Sequence, residues 1–162
     1  MEGTFVYSFA IYPGITSGWA CIGVRRDSMF ANRPSKIQVF EHGIVNGAES
    51  SQMITIMQQA SRYHRNAIVC ESFTGDMVDE DALAAIRTGA LVQYAMDTHY
   101  VLSRLFWQTA GEAAGATDRK LKAWQLYPRG HAATIEAARH AITFIRRAKA
   151  DEKLRILAWG EQ

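Results

Sequence analysis

The chain has 162 residues, of which 48% are apolar and 21% charged, the size and composition of one folded domain rather than a disordered segment. A formal net charge of +2 excludes a generally basic protein, so any surface that binds a polyanion has to come from local clustering of cations. No stretch approaches the ~20 consecutive apolar residues that cross a bilayer, which argues against a membrane-spanning helix.

Two features of the sequence indicate a cytoplasmic location. Cys21 and Cys70 lie in apolar, strand-like runs without CxxC or His/Cys spacing, which favours buried free thiols in a reducing compartment over a disulfide. The N-terminus lacks the basic segment, apolar run and small-residue cleavage site of a signal peptide. We therefore expect a cytoplasmic protein with no membrane partner.

The N-terminal part of the chain predicts three antiparallel strands. Thr4–Ile11 is rich in β-branched and aromatic residues, as expected of a buried strand. Turn-forming residues follow at Tyr12–Gly18, and the apolar segment Trp19–Val24 then completes a hairpin. Beyond a polar stretch, Lys36–His42 is the third predicted strand.

The middle of the chain changes from helix to strand and back. Helical periodicity starts near Ser50. The apolar residues of this helix, spaced three or four apart, are Met53, Met57, Ala60 and Tyr63. Asn66–Glu71 is a short apolar run that ends in a carboxylate, as expected of a central parallel strand. A polar loop follows at Thr74–Asp81, in which Asp79 is the predicted N-cap of the next helix.

The C-terminal half predicts one more strand and three helices. The predicted core face of the first helix consists of Leu83, Ile86, Ala90 and Tyr94. Tyr100–Trp107 is the fifth strand, and Thr117–Trp124 forms a short basic helix. After a break at Pro128–Gly130, the last helix covers Ala132–Lys149. Its core stripe consists of Ile135, Ala138, Ile142 and Ile145.

The order of elements is therefore βββ-α-β-α-β-α-α, without internal repeats, low-complexity segments or linkers. We predict a single α/β domain over residues 1–162, built on a central five-stranded mixed sheet flanked by helices. Three antiparallel strands come first in this sheet, and parallel strands follow. Trp19, Trp107 and Trp124 are expected to fill the core.

Three places are candidates for function because each lies at the end of a strand or the start of a helix. They are the turn at Ile11–Gly18, Glu71 at the end of its strand, and Glu136 in the first turns of the last helix. Functional groups gather at strand ends, where a crevice opens in a central-sheet fold. The residues alone leave a simpler interpretation open, in which both carboxylates are merely exposed to solvent.

Three segments of the chain resemble RuvC-type Holliday junction resolvases, above all the small bacteriophage-encoded ones. Ala10–Ala20 (AIYPGITSGWA) is similar to the family's hairpin G-I-D-P-G-x-T-x-G-W-A, and Ile68–Phe73 (IVCESF) to the strand that carries the second metal-binding carboxylate. Thr117–Lys149 is similar to the final segment, which runs from T-D-x-R-L-x-x-W-G-L to H-x-x-D-A-A-R-H-A. The segments come in the family's order and span nearly the whole chain. The resemblance implies an RNase H-like fold.

The resemblance also implies a chemistry, the hydrolysis of phosphodiester bonds by two magnesium ions. In that family the ions activate water and stabilise the leaving oxygen, and acidic residues from separate strands and the last helix hold them. Magnesium demands hard oxygen ligands in octahedral geometry, which explains the carboxylates. The aspartate of the I-D-P-G turn is the key ligand because it bridges both ions.

This sequence departs from the family's ligand set at three positions. Tyr12 stands in place of the bridging aspartate, and a neutral phenol with a pKa near ~10 is a poor magnesium ligand. Glu136 replaces the aspartate of the last helix, and Ala133 replaces the histidine three residues before it, with His131 two residues earlier. The candidate catalytic positions are therefore Glu71, Glu136, Tyr12 and His131, and the candidate metal ligands are Glu71 and Glu136.

Cations cluster in two places, and all of them except Lys149 are the five candidate DNA-binding residues. The first cluster, on the short basic helix, is Arg119, Lys120 and Lys122. The second, at the end of the last helix, is Arg146, Arg147 and Lys149, where cations equally complement the helix dipole. Glu136 and His140 are one turn apart on the same helix, so we expect them to pair.

Two functions remain as hypotheses. The leading one is a RuvC-like protein with a degenerate site and no cofactor, which binds branched or duplex DNA or serves a structural or assembly role as a homodimer or with other proteins. Such a protein, if encoded by a phage, acts in the cytoplasm of the bacterial host or in the phage particle. The alternative is an active Mg²⁺-dependent junction endonuclease with rearranged ligands, drawn from Glu71, Glu136, Asp76 and Asp118.

Overall fold

A computed structural model describes residues 5–31, 33–64, 66–76, 78–99 and 103–160. Thr4 and Tyr100, where two of the predicted strands begin, lie outside the described residues. Five strands form one sheet in the order β3-β2-β1-β4-β5. The strands are β1 (Phe5–Tyr12), β2 (Ser17–Arg25), β3 (Ile37–Val45), β4 (Asn66–Ser72) and β5 (Arg104–Thr109).

The sheet is mixed, as the sequence predicts. β1, β2 and β3 pair antiparallel, while β4 pairs parallel to β1 and β5 parallel to β4. In the register of these strands Tyr12 is opposite Gly18, and Glu71 is opposite Gln108. Since the carboxyl ends of β1, β4 and β5 meet at one edge of the sheet, side chains that follow these strands come together there.

Seven helices lie among the described residues. They are α1 (Arg26–Phe30), α2 (Glu49–Ala60), α3 (Glu80–His99), α4 (Ala110–Ala113), α5 (Asp118–Ala123), α6 (Ala132–Ala150) and α7 (Glu152–Trp159). The sequence predicts α2, α3, α5 and α6 but misses the other three. The missed helices have at most eight residues, too short to show a clear helical period. No helix in the described part of the chain has the length and apolarity to span a membrane.

Helices cover both faces of the sheet, so its central strands are buried on both sides. On one face, α6 and α7 pack over alternate residues of β1 and β2, such as Val6 and Ile22. On the other face, α2 and α3 pack over the intervening residues, including Phe9 and Cys21. Burial on both faces explains why β1 and β2 are apolar almost throughout. Cys21 and Cys70 are buried free thiols, as predicted, and burial raises the pKa of both.

The predicted core face of α3 is wrong. Its four residues, Leu83, Ile86, Ala90 and Tyr94, point to solvent, and Tyr94 is 62% exposed. The helix instead turns a face of smaller residues inward, among them Ala84, Thr88, Val92 and Ala95. Small side chains allow α3 to lie close to the sheet and to α2, so the larger apolar residues remain outside. The prediction failed because α3 has apolar residues on both faces.

The tryptophans differ in burial. Trp19 stacks on Phe9 in the core, with 5.3 Å between the ring centroids, as expected. Trp124 is only partly buried against the core, and Trp107 is 42% exposed on the edge strand β5. The expectation that all three fill the core is therefore correct only for Trp19.

The hairpin and the last long helix touch backbone to backbone at Gly18. A Cβ atom at this position would overlap the carbonyl group of Ala133 and the amide of Thr134. The absence of a side chain at Gly18 allows the first turn of α6 to rest directly on β2. Consequently the residues of α6 approach the carboxyl ends of β1 and β4.

We expect Gly18→Ala to lower the free energy of unfolding by about 1–3 kcal/mol, because the added methyl group meets backbone that cannot yield as a side chain does. Gly115→Ala is the matched control, since a Cβ at Gly115 meets nothing within 4 Å. Denaturant unfolding of both variants and the wild type measures the difference. Equal stability of the two variants would contradict the close contact.

Candidate functional site

Three carboxylates surround the side chain of Tyr12 at the carboxyl edge of the sheet. Burial raises the pKa of Tyr12, and the negative charges of Glu71, Glu136 and Asp81 raise it further. Glu71 comes from the neighbouring strand β4, Glu136 from α6 and Asp81 from the first turn of α3. Tyr12 is therefore a neutral, half-buried phenol in the centre of an acidic cleft. No hydrogen bond joins its hydroxyl to a carboxylate among the described residues.

A buried glutamine holds the turn next to Tyr12 in place. The hydroxyl of Ser17 donates to Oε1 of Gln52, and Nε2 of Gln52 donates to the carbonyl oxygens of Ile15 (2.7 Å) and Gly47 (3.0 Å). The amide of Ile15 also donates to Oδ1 of Asp81, at 3.2 Å. Sequence reasoning missed Gln52 and Asp81. The only signal for Gln52 was a polar residue on the inward stripe of α2.

Glu71 is bound by a histidine of α6 rather than exposed to solvent. Nε2 of His140 lies 2.6 Å from Oε2 of Glu71, and the imidazole is fully buried. The predicted pair between Glu136 and His140 is therefore wrong. His140 points toward the end of β4 because α6 rests on the hairpin at Gly18.

The partners of His140 fix the position of its proton. Nη1 of Arg147 donates to Oε1 of Gln108 at 3.0 Å, so the amide nitrogen of Gln108 faces Nδ1 of His140, at 2.9 Å. That nitrogen donates, and Nδ1 must accept. The hydrogen of a neutral His140 is then on Nε2 and points at Glu71, which serves as the acceptor.

Glu136 and Asp118 share one arginine. Nε of Arg139 lies 3.1 Å from Oε1 of Glu136, a second guanidinium nitrogen pairs with Asp118, and the third donates to the carbonyl oxygen of Ala116 at 2.8 Å. The side chain of Arg139 is only 17% exposed. One cation of the protein therefore pairs with both carboxylates, and both belong to the rearranged ligand set considered above.

The remaining candidates of the cleft have other surroundings. His131 is the N-cap of α6, where its Nδ1 accepts a hydrogen bond from the amide of Ala133 at 3.0 Å. Asp76 is exposed in the loop between β4 and α3. Among the described residues, no hydrogen bond or ion pair joins either side chain to Glu71.

The residues of the cleft do not fit a two-magnesium site. Magnesium demands hard, anionic oxygen ligands in octahedral geometry, and a two-ion site needs enough of them to reach both ions. Here Glu71 accepts a hydrogen bond from His140, Glu136 pairs with Arg139, and Tyr12 offers a neutral phenol. The described ranges contain no group of three or more histidine, cysteine or acidic side chains that could hold a metal ion.

Two of the five candidate DNA-binding residues bind the protein itself. Nζ of Lys120 donates to the carbonyl oxygen of Gly115 at 2.9 Å. Arg147 pairs with Glu112 at 2.9 Å in addition to its bond with Gln108. These head groups support the fold of α4, α5 and α6.

The other three cations remain directed to solvent. Nζ of Lys122 lies over the ring of Tyr127, 4.5 Å from its centroid, and the guanidinium carbon of Arg146 lies 5.0 Å from the centroid of a Trp124 ring. Arg119 is exposed and has no hydrogen-bond or ion-pair partner in the described part of the chain. Trp124 follows α5 directly, so α5 and the end of α6 form one basic surface.

The sheet order and the helices on both faces define an RNase H-like α/β fold, as the sequence predicted. Among solved structures, the chain is similar to RuvC of Thermus thermophilus, with 12% identity and a TM-score of 0.62 over 90% of this chain and 96% of that one. It is equally similar to T. thermophilus RuvC in complex with its Holliday junction substrate, with 13% identity, a TM-score of 0.63 and the same coverage. At such low identity the likeness concerns the fold. No model of a known protein family and no curated protein matches the sequence.

We expect the pKa of Tyr12 to lie above the ordinary value of 10.0 and to fall in Glu71→Gln, because this change removes a neighbouring negative charge. Titration of the phenolate absorbance measures the pKa, and Tyr12→Phe identifies the signal. Glu152→Gln, on the remote helix α7, is the control and should leave the pKa unchanged. An ordinary pKa for Tyr12 in the wild type would contradict its position among the carboxylates.

Proposed function

We propose that this protein binds branched or duplex DNA with a RuvC-like fold and does not cleave it by a metal-dependent reaction. The observation that carries the proposal is the pairing of the cleft's carboxylates with donors of the protein. Each carboxylate that corresponds to a family ligand already has a donor from the protein, His140 for Glu71 and Arg139 for Glu136. These donors hold both carboxylates in position, and between them the neutral phenol of Tyr12 offers no anionic ligand that could bridge two ions.

Tyr12 supports the same conclusion from its position. A bridging ligand has to reach two ions from the end of β1, and neither Glu71 on β4 nor Glu136 on α6 starts from that strand. The phenol remains neutral at pH 7 because burial and the surrounding carboxylates raise its pKa. The cleft therefore lacks an anionic ligand at the position that the two-metal reaction depends on.

The proposed DNA binding rests on local charge and on the likeness of folds. The net charge is only +2, but Arg119, Lys122 and Arg146 direct cationic groups to solvent on one surface. A similar structure, T. thermophilus RuvC, has been determined with a Holliday junction substrate. On the basis of the sequence motifs, we also propose that the protein is encoded by a bacteriophage and acts in the host cytoplasm or in the phage particle.

The test is a labelled four-way junction incubated with the wild type in Mg²⁺ or Mn²⁺. We expect binding without specific cleavage and a melting temperature that does not change with Mg²⁺, because only a ligand of the native state stabilises it.

Tyr12→Asp should lower the melting temperature, since it adds a charge to three carboxylates, and Mg²⁺ should restore part of the loss. Mg²⁺-dependent nicking that disappears in Glu71→Gln would establish the active nuclease instead. Absence of affinity at low salt would leave the structural or assembly role.

We further propose that the protein forms a homodimer through the outer face of α3. This face, whose residues are Leu83, Ile86, Ala90 and Tyr94, is apolar and exposed. Trp107 extends it onto β5, because the indole donates to Gln93 of α3 at 3.2 Å. Contiguous apolar surface of this kind marks an interaction site.

We expect Ile86→Glu to weaken dimerisation by at least about tenfold, because it places an unpaired charge in an apolar interface. Ile54→Glu on α2 is the matched control, since Ile54 is an exposed isoleucine on another helix. Sedimentation velocity over a range of protein concentrations measures both. A monomeric wild type, or equal effects of the two variants, would refute this interface.

A further inference from the structure

Three solvent-directed cations form one surface on α5 and α6, which we call the α5–α6 cation surface: Arg119, Lys122 and Arg146. We infer that this surface holds the phosphodiester backbone of DNA, whereas Lys120 and Arg147 serve the fold. The inference rests on the proposed DNA binding and goes beyond it, because it separates the five candidate cations by role and assigns a task to two aromatic rings.

The rings of Trp124 and Tyr127 hold two of these cations in fixed positions. Both rings pack against the main core cluster, and each has a cationic head group over it, Arg146 on Trp124 and Lys122 on Tyr127. A cation over an aromatic ring is attracted by the negative face of the ring, while its N–H groups stay free to donate. Phosphate binding then costs less side-chain entropy, since the head groups are already ordered.

The same arrangement argues against base stacking on the rings. A base needs an open ring face, but here each ring packs against the core and has a cation over it. The chemistry that remains is hydrogen bonding and charge attraction to phosphate oxygens. Such contacts position a nucleic acid without reading its sequence.

The α5–α6 cation surface lies beside the cleft. Arg139, which pairs with Glu136, and Arg146 are seven residues apart on α6, so they share a face about 10 Å apart along the helix axis. Arg139 also pairs with Asp118, the first residue of α5, and this pair holds the two helices together. A DNA strand bound at Arg146 and Lys122 would therefore run beside the cleft.

The experiment measures the affinity of full-length variants for a four-way junction, a duplex and a single strand across a range of salt concentrations. Arg119→Ala, Lys122→Ala and Arg146→Ala should each reduce the slope of log K against log salt by about 0.9 on the junction and duplex. Lys120→Ala and Lys153→Ala are the controls. Each removes one positive charge, from a head group bound to Gly115 and from the separate helix α7, respectively. Both should keep the wild-type slope.

A second pair of variants tests the rings. Trp124→Leu removes the ring under Arg146 but keeps the cation, so we expect the affinity to fall several-fold with the salt slope unchanged. Trp124→Phe should restore most of the affinity because an aromatic face remains. Melting curves for every variant show whether a loss of affinity reflects unfolding.

The outcomes separate this inference from the proposal on which it rests. If the wild type binds no DNA at low salt, the proposed function itself fails. If the wild type binds but Lys120→Ala or Lys153→Ala flattens the slope as much as Arg146→Ala, the assignment of the surface is wrong. If Trp124→Leu binds like the wild type, the ring does not hold a phosphate-binding cation. If a junction of another base sequence binds with a strongly different affinity, the contacts are not limited to phosphate.

Discussion

The backbone of α6 rests on the hairpin at Gly18, with no side chain between the two elements. This contact sets the depth at which α6 lies on the sheet, and three residues of the helix reach their partners because of it. His140 meets Glu71 from β4, Glu136 approaches Tyr12 from β1, and Arg139 joins α6 to the start of α5. The cleft and the basic surface beside it are both consequences of one close backbone approach.

Within the cleft, donors of the protein stand where positive ions would otherwise be needed. Clustered carboxylates repel one another, and a fold that retains them needs either metal ions or internal donors to offset that repulsion. Here Arg139 pairs with both Glu136 and Asp118, and Nε2 of His140 lies at hydrogen-bond distance from Glu71. The fold therefore keeps acidic residues at the positions of the ligands in RuvC-type resolvases and holds each of them with a donor of the protein, while the cleft around Tyr12 stays acidic.

Much of this architecture follows from the sequence, but the site follows only in part. The five strands and α6 were predictable because β-rich runs and a long helical period are local signals, and the motif around Tyr12 placed the turn correctly. Which side chains pair in the site was not predictable in the same way. Helical spacing brings Glu136 and His140 together, yet a partner 69 residues away in sequence, Glu71, binds the histidine. That outcome depends on how the helix is rotated against the sheet.

Because α6 is a continuous helix, it fixes the spacing between the cleft and the basic surface. Arg146 reaches Trp124 only at one rotation of the helix, and the burial of neighbours such as Phe144 and Ile145 leaves no room to adjust. One residue inserted between His140 and Arg146 would turn the guanidinium by about 100° and move it by about 1.5 Å. The helix thus fixes this distance, which is kept when a side chain is exchanged but lost when a residue is inserted or deleted.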